Sequence, residues 1–453
     1  MTRRQLPVSG FTKALVAFAL LNLVVVNLVL ILGLQAKLGG MSLGHTLAFL
    51  RAEQHLDDSW NAMISAYQFL KSGAMGSVYQ EIFFEQRIKF QYPLSSLLIF
   101  PILERFSTDP QAWARYLTRF SWAFLACSVF WVVQIFRASA SATVAPAAQS
   151  ARDRWIQGAV VLGLALTYYP VVKAFSLGQI QVWLNALFAL ALLAFLKGRH
   201  ASSGALCGLM CLIKPQYALF LIWGMLRKQV AFIKAFLGTI LAGGGLTLVA
   251  FGPRHTLDYL RVTSFLARHG EAFYPNQSVN GLLNRLLFNG NNTEWLGHAF
   301  PPFHPAIYAT TVATSVLLIV MALAWKNQAS PRHQALDFCV LALVCTMASP
   351  IAWEHHYGVL LPIYAFALPL CLAPAGGWRR LAPWLAISFV LTSHVILATN
   401  RLADSWLNVA QSYLFFGACM LLGCLWTMRR KPMPDPESQI SLNEGTRRLP
   451  LPG

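Results

Sequence analysis

The chain has 453 residues, of which 56% are hydrophobic and only 11% charged, and its net charge is +18. A soluble domain carries about 25% charged residues, so this composition excludes an ordinary soluble fold. The basic excess does not mark a nucleic-acid binder, because the lysines and arginines are scattered at the ends of apolar runs, as the positive-inside rule expects.

Apolar runs of roughly 15–25 residues recur from Ala14 to Met428, about the length that a bilayer-spanning helix needs. No period-2 alternation runs through them, which excludes a transmembrane β-barrel. The predicted fold class is an all-α polytopic membrane protein of about twelve crossings.

In chain order, Thr2-Arg3-Arg4 and Lys13 precede the first span, 14–34, and place residues 1–13 in the cytoplasm. That run lacks an A-x-A-like cleavage site and reads as a retained helix. A long polar loop, 35–92, follows on the outer side. The stretch 93–226 threads in two ways. In one, 94–106 is a re-entrant hairpin and 203–226 breaks into two short helices at Lys214-Pro215. In the other, 94–106 crosses and 203–226 is a single span. A span at 233–252 leads to a second outer loop, 253–302. Spans at 304–325, 335–349, 357–375, 381–399 and 406–428 then alternate, with a third outer loop at 349–357. Arg429-Arg430-Lys431 puts the Pro-rich polar tail, 429–453, in the cytoplasm as a disordered segment. Residues 14–428 form one transmembrane domain, set in the plasma membrane, and both threadings leave the same three loops outside.

All eight cysteines lie inside apolar runs, so no disulfide framework is implied. Cys207 and Cys211 share a helical face and read as small packing residues.

Five polar clusters interrupt this apolar background. In "HLDDSWNAMISAYQFLKSG", Asp57 and Asp58 open a helical pattern. Either can cap that helix, and either can act as a base toward a hydroxyl. In "SLGQIQVWLN", Gly178, Gln179 and Gln181 form a polar turn between apolar runs. Lys214 lies in an apolar stretch, where a charge costs about 2.5–3.5 kcal/mol; it either snorkels to the interface or faces an anion such as phosphate. In "FYPNQSVNGLLNRLL", Asn276 and Gln277 are uncharged hydrogen bonders suited to sugar hydroxyls or to an ordinary loop. In "ASPIAWEHHYGVLLP", Glu354, His355 and His356 are contiguous. Successive side chains on a helix point about 100° apart, and the His-Glu-x-x-His zinc spacing is absent, so no metal site is expected there. A histidine beside a phosphate can donate to it as imidazolium.

The stretches "DDSWNAMISAYQFLKSGAMGSVYQ", "FQYPLSSLLIFPILERF", "SLGQIQ", "GALCGLMCLIKPQYALFL", "NQSVNGLLNRLL" and "SPIAWEHHYGVLLP" occur in that order. Over residues 10–428 the chain resembles glycosyltransferase family 87, membrane enzymes of the GT-C type similar to mycobacterial polyprenyl-phosphate-mannose-dependent α-mannosyltransferases. The resemblance implies a polyprenyl-phosphate-linked sugar donor, mannose foremost, with a glycan or glycolipid as acceptor and transfer on the extracytoplasmic face. No cofactor is implied. The family's essential acid, followed closely by an aromatic, matches Asp58 ahead of Trp60, with Asp57 as the adjacent alternative. The GT-C core has seven helices before its second large outer loop, which favours the threading in which 94–106 crosses. The expected mechanism is a single inverting displacement. Asp58 is the base, Lys214, His355 and His356 face the leaving phosphate, and Gln179, Asn276 and Gln277 hold sugar hydroxyls or phosphate oxygens. The competing function class is a secondary transporter or lipid flippase using the intramembrane Lys and His.

Overall fold

A computed structural model describes residues 8–34, 42–51, 57–73, 75–144, 149–324, 330–373 and 377–430. Of the predicted tail, 429–453, Arg429 and Arg430 end the last helix and residues 431–453 lie outside the described residues, as does most of residues 1–13. Among the described residues every regular element is a helix, with a single isolated β-bridge between Asn276 and Trp353.

Six helices are long and apolar enough to cross a membrane: Gly10–Leu32, Pro110–Ser141, Val230–Phe251, Pro305–Leu323, Glu354–Leu372 and Trp406–Arg430. A seventh is formed if Ala151–Leu166 and Tyr169–Ser176, bent by 50°, make one broken span. The expected twelve crossings are thus not supported by helix length. Gln181–Leu196, His200–Ile213 and Pro215–Leu226 are apolar but short, and Ala382–Ser393 has only 12 residues. In the second half of the chain the expected spans fall on helices, with Pro305–Leu323, Pro331–Met347 and Glu354–Leu372 close to their predicted bounds.

Apolar composition plays two roles here. Glu354–Leu372 is 89% buried inside the protein, whereas Pro305–Leu323 is 17% buried. The first packs at the centre of the bundle, and the second presents Val312, Val316, Leu317 and Val320 outward. Side chains facing lipid need no protein partner.

A second hydrophobic cluster caps one end of the bundle. Trp60, Tyr67, Tyr79, Phe90, Leu94, Phe100, Leu103, Trp113 and Leu117 are buried together there. Leu94 and Leu103 both belong to it, as does Trp113 near the start of the next span. Residues 94–103 therefore stay at one end of the bundle, and the threading in which they cross is corrected. The first "loop" is also largely helical, with helices at Ser42–Leu50 and Asp58–Lys71. The second contains helices at Pro253–His269 and Val279–Leu286.

The break at Lys214-Pro215 is present. His200–Ile213 ends where Lys214 turns to an extended conformation, φ −136° and ψ 106°, which relieves the α-helical conformation that a following proline disfavours. His200–Ile213 runs parallel to Val230–Phe251. A methyl on Gly204 would come 2.2 Å from the Phe232 carbonyl oxygen, Gly208 faces Phe236 and Thr239, and Leu212 faces Gly243. These glycines let two helix backbones touch. Because both helices start at the same end, residues 214–229 return the chain to that end. Lys214 is the tip of this excursion, on the side of the cap: Ile213 packs against the cap cluster.

The opposite end is pinned by a buried charge network. Asp337 accepts from Arg227 Nε at 2.5 Å and from Trp223 Nε1 at 2.7 Å, and it pairs with Arg429. All three charged side chains are at most 7% exposed.

Candidate active site

The start of the Asp58–Lys71 helix docks onto the turn after Tyr169–Ser176. The Asp58 backbone N–H donates to Leu177 O at 3.0 Å, and the Ser59 N–H donates to Gly178 O at 3.3 Å. Gly178 has φ +64°, a left-handed conformation that glycine adopts without penalty. The side chains then interlock. Gln179 Nε2 donates to Asp58 Oδ2. Gln179 Oε1 accepts from Ser59 Oγ at 2.8 Å and from Tyr92 OH at 3.2 Å. The Ile180 N–H donates to Ser59 Oγ at 3.1 Å. Two sequence clusters 121 residues apart thus form one unit, in which Gln179 fixes the Asp58 carboxylate. Asp57 occupies the N-cap position, but its side chain makes no capping bond.

Burial pushes the Asp58 carboxyl above the ordinary carboxylate range, opposed by the Gln179 hydrogen bond and the charges of Lys89 and Lys173. A raised value moves a carboxylate toward the working range of a general base. A carboxylate must be ionised to act as a base, so activity that depends on Asp58 as base is expected to fall as pH drops through that raised value. Gln179→Met removes a bond that favours the charged form. The acid limb of the kcat/KM profile is therefore expected to move to higher pH, with the alkaline side little changed. An unmoved acid limb would detach Gln179 from the function of Asp58.

Lys214 Nζ donates to Gln181 Oε1 at 2.8 Å, and Gln181 Nε2 donates to Asn185 Oδ1 at 2.9 Å. Asn185 lies against Gly358, where a methyl would approach its Nδ2 to 2.2 Å. Lys214 thus leads into the Glu354–Val359 turn, and its charge reaches both His355 and His356. The two imidazoles are perpendicular, with ring centroids 4.7 Å apart. His355 is 5% exposed, and its Nε2 has no hydrogen-bond partner among the described residues. Lys214, His355 and His356 are therefore one cluster.

Glu354 neither pairs with a histidine nor caps the following helix with its side chain. Its two carboxylate oxygens accept from Tyr169 OH and Tyr413 OH, each at 3.2 Å. Its backbone N–H donates to Pro275 O at 2.9 Å.

Asn276 and Gln277 are fully buried and their amides are spent on backbone. Asn276 Nδ2 donates to Glu271 O and Pro350 O at 2.8 and 3.2 Å, and its Oδ1 accepts from the Ala352 N–H at 2.9 Å. Gln277 Nε2 donates to Tyr274 O and Gln411 O, both at 2.7 Å, and its Oε1 accepts from the Phe415 N–H at 3.1 Å. These bonds lash the second loop to the 350–354 turn and to the last span. Buried backbone groups need partners, and these two amides supply them.

Four contributors do not stand out in the sequence. Ser59 and Tyr92 complete the Gln179 knot. Lys89 joins the first and second loops: its Nζ lies 3.3 Å from Glu271 Oε2 and 3.7 Å from the Trp295 ring centroid. Lys173 lies on the helix whose Tyr169 bonds Glu354 and whose C-terminal turn receives the Asp58 backbone N–H. The order of "FQYPLSS" and "SLGQIQ" along the chain carried no sign of these pairings. Among the described residues, no group of three His, Cys, Asp or Glu side chains is placed to hold a metal ion.

The profile of glycosyltransferase family 87 matches residues 90–350. Over 234 residues the chain is 29% identical to a polyprenol-phosphate-mannose-dependent alpha-(1-2)-phosphatidylinositol pentamannoside mannosyltransferase of Mycobacterium tuberculosis (strain CDC 1551 / Oshkosh), covering 50% of this chain and 49% of the relative. Over 294 residues it is 26% identical to a polyprenol-phosphate-mannose-dependent alpha-(1-2)-phosphatidylinositol mannoside mannosyltransferase of Mycolicibacterium smegmatis (strain ATCC 700084 / mc(2)155), covering 61% and 63%. The chain thus spans about half to just under two thirds of the length of these relatives. With its apolar helices, it is an integral membrane protein, and it belongs to glycosyltransferase family 87.

Proposed function

We propose that this protein is a GT-C-type glycosyltransferase that moves a sugar, mannose, from a polyprenyl-phosphate carrier to a glycolipid acceptor on the extracytoplasmic face. Both termini are then cytoplasmic. The observation that carries the reading is the docking of Asp58 onto the Gly178-Gln179 turn, in a chain whose relatives are named for polyprenol-phosphate-mannose and phosphatidylinositol mannosides. A carboxylate held at a fixed position, with its pKa raised by burial, is what deprotonation of an acceptor hydroxyl requires.

The acceptor oxygen attacks the anomeric carbon as the bond from that carbon to the phosphate oxygen breaks. The acceptor proton passes to Asp58, and the bonding electron pair leaves with the phosphate. A single displacement inverts configuration, so a β-linked donor yields an α-linkage. The leaving group needs positive charge and donors rather than a strong acid, and Lys214, His355 and His356 stand beside the Glu354–Val359 turn for that purpose. We assign Gln179 to positioning Asp58, and Asn276 and Gln277 to fastening the second loop.

Purified protein given a panel of polyprenyl-phosphate sugars with a phosphatidylinositol mannoside acceptor is expected to form product with mannose. Counterflow of a labelled solute in proteoliposomes, with no product from any donor, would point to a carrier instead.

A further inference from the structure

The cations near the outer end of the bundle are nearly all committed. Lys214 is bound to Gln181. Lys89 is held by Glu271, by two backbone carbonyls and by two aromatic rings. Arg285 donates to Asn276 O at 3.0 Å and to Ser412 Oγ at 2.6 Å. Lys173 differs. It is half-buried, and its ammonium makes no hydrogen bond or ion pair among the described residues.

Its position follows from helix periodicity. Residues four apart share a helical face. Four residues before Lys173, Tyr169 donates its hydroxyl to Glu354. Four residues after it, the Leu177 carbonyl receives the Asp58 backbone N–H. One stripe of the Tyr169–Ser176 helix thus joins Glu354 to Asp58, with Lys173 in the middle. Its charge is felt at Asp58, Glu354 and His355. His45, from the Ser42–Leu50 helix, lies edge-on to Tyr169 at 5.4 Å. Burial and Lys173 hold it down at about 4, so near neutral pH it is uncharged and does not compete as a cation. A half-buried lysine on the helix that links the Asp58 and Glu354 groups, with no carboxylate in contact with its ammonium among the described residues, is arranged to meet an anion that enters there.

We propose that Lys173 binds the phosphate of the lipid-linked donor and takes up the charge that develops on it during transfer. The inference rests on the polyprenyl-phosphate reading above. In that reaction the phosphodiester of the donor carries one negative charge. When its bond to the anomeric carbon breaks, the electron pair stays on the phosphate oxygen and a monoester dianion is released. Lys173 therefore gains most from the state in which the bond is broken, the condition for catalysis rather than uniform binding. Lys214, held by Gln181, adds a second positive charge on the side where His355 and His356 stand.

The test is binding of a fluorescent polyprenyl phosphate, with the matching uncharged polyprenol as reference, to the full chain in detergent. Wild type, Lys173→Met, Lys173→Arg and Asp58→Asn are compared. Wild type is expected to prefer the phosphate over the alcohol, and Asp58→Asn to do so at least as strongly, because it removes a negative charge coupled to Lys173. Lys173→Met is expected to lose about 10- to 100-fold of that preference, with polyprenol binding unchanged, and Lys173→Arg to recover part of it. Unchanged polyprenol binding also certifies the fold of the variant, and Lys173→Gln replaces Lys173→Met if the latter does not purify. A Lys173→Met protein that prefers the phosphate as strongly as wild type overturns the proposal. A wild-type protein that does not distinguish phosphate from alcohol overturns instead the polyprenyl-phosphate reading on which it rests.

Discussion

Asp58→Asn is expected to lower sugar transfer about 10²–10⁴-fold, the usual contribution of a positioned general base, while the protein still folds and binds its lipid donor. The amide keeps the size of the carboxylate and can still meet Gln179, so the Gly178–Ile180 turn retains its contacts to Ser59 and to the helix backbone. What is lost is the proton acceptor. Asp57→Asn is expected to leave transfer within a few-fold of wild type, because the Gln179 amide engages Asp58. Rates from single-turnover assays with saturating donor separate the chemical step from binding. Full activity in Asp58→Asn, or loss in Asp57→Asn alone, would move the base assignment off Asp58.

The second large effect is on stability and lies at the other end of the bundle. Asp337→Ala removes the carboxylate shared by Arg227 and Arg429 and the acceptor of Trp223 Nε1. Breaking a buried pair by removing one partner costs about 3–5 kcal/mol, because the remaining charge is left without compensation. Here two guanidinium groups lose their carboxylate, both 4% exposed or less. Thermal unfolding in detergent is expected to show a large drop in Tm. The donor preference of the surviving folded protein is expected to stay intact, since Asp337 is remote from Asp58. A Tm within a degree or two of wild type would mean that water or lipid headgroups already satisfy the two arginines.

These effects separate what the amino-acid sequence makes legible from what it hides. Apolar runs bounded by lysine and arginine are a one-dimensional signal, so the helices from Pro305 onward can be read directly. The break at Lys214-Pro215 is equally local, because proline disfavours the helical conformation of the residue before it. The path of 94–103 is not local. It depends on Leu94 and Leu103 being buried in the same cluster as Trp60 and Trp113, which no window of sequence contains.

The site divides in the same way. Asp58, Gln179, Lys214, His355 and His356 stand out because charged and amide groups are costly in an apolar background. Asn276 and Gln277 stood out for the same reason, yet their amides serve buried backbone groups. Lys173 could not be found that way. In "YYPVVKAFS" it looks like a charge at the end of a span, and only the contacts of Tyr169 and Leu177 place it between Glu354 and Asp58.

The account as a whole predicts one product. Purified protein, isotopically labelled polyprenyl-phosphate-mannose with a β anomeric linkage and a phosphatidylinositol mannoside acceptor are combined, and the glycolipid is examined by mass spectrometry and NMR. The account predicts one added hexose in α-linkage, absent when Asp58 is replaced by Asn. No added hexose, or a β-linked one, would contradict it.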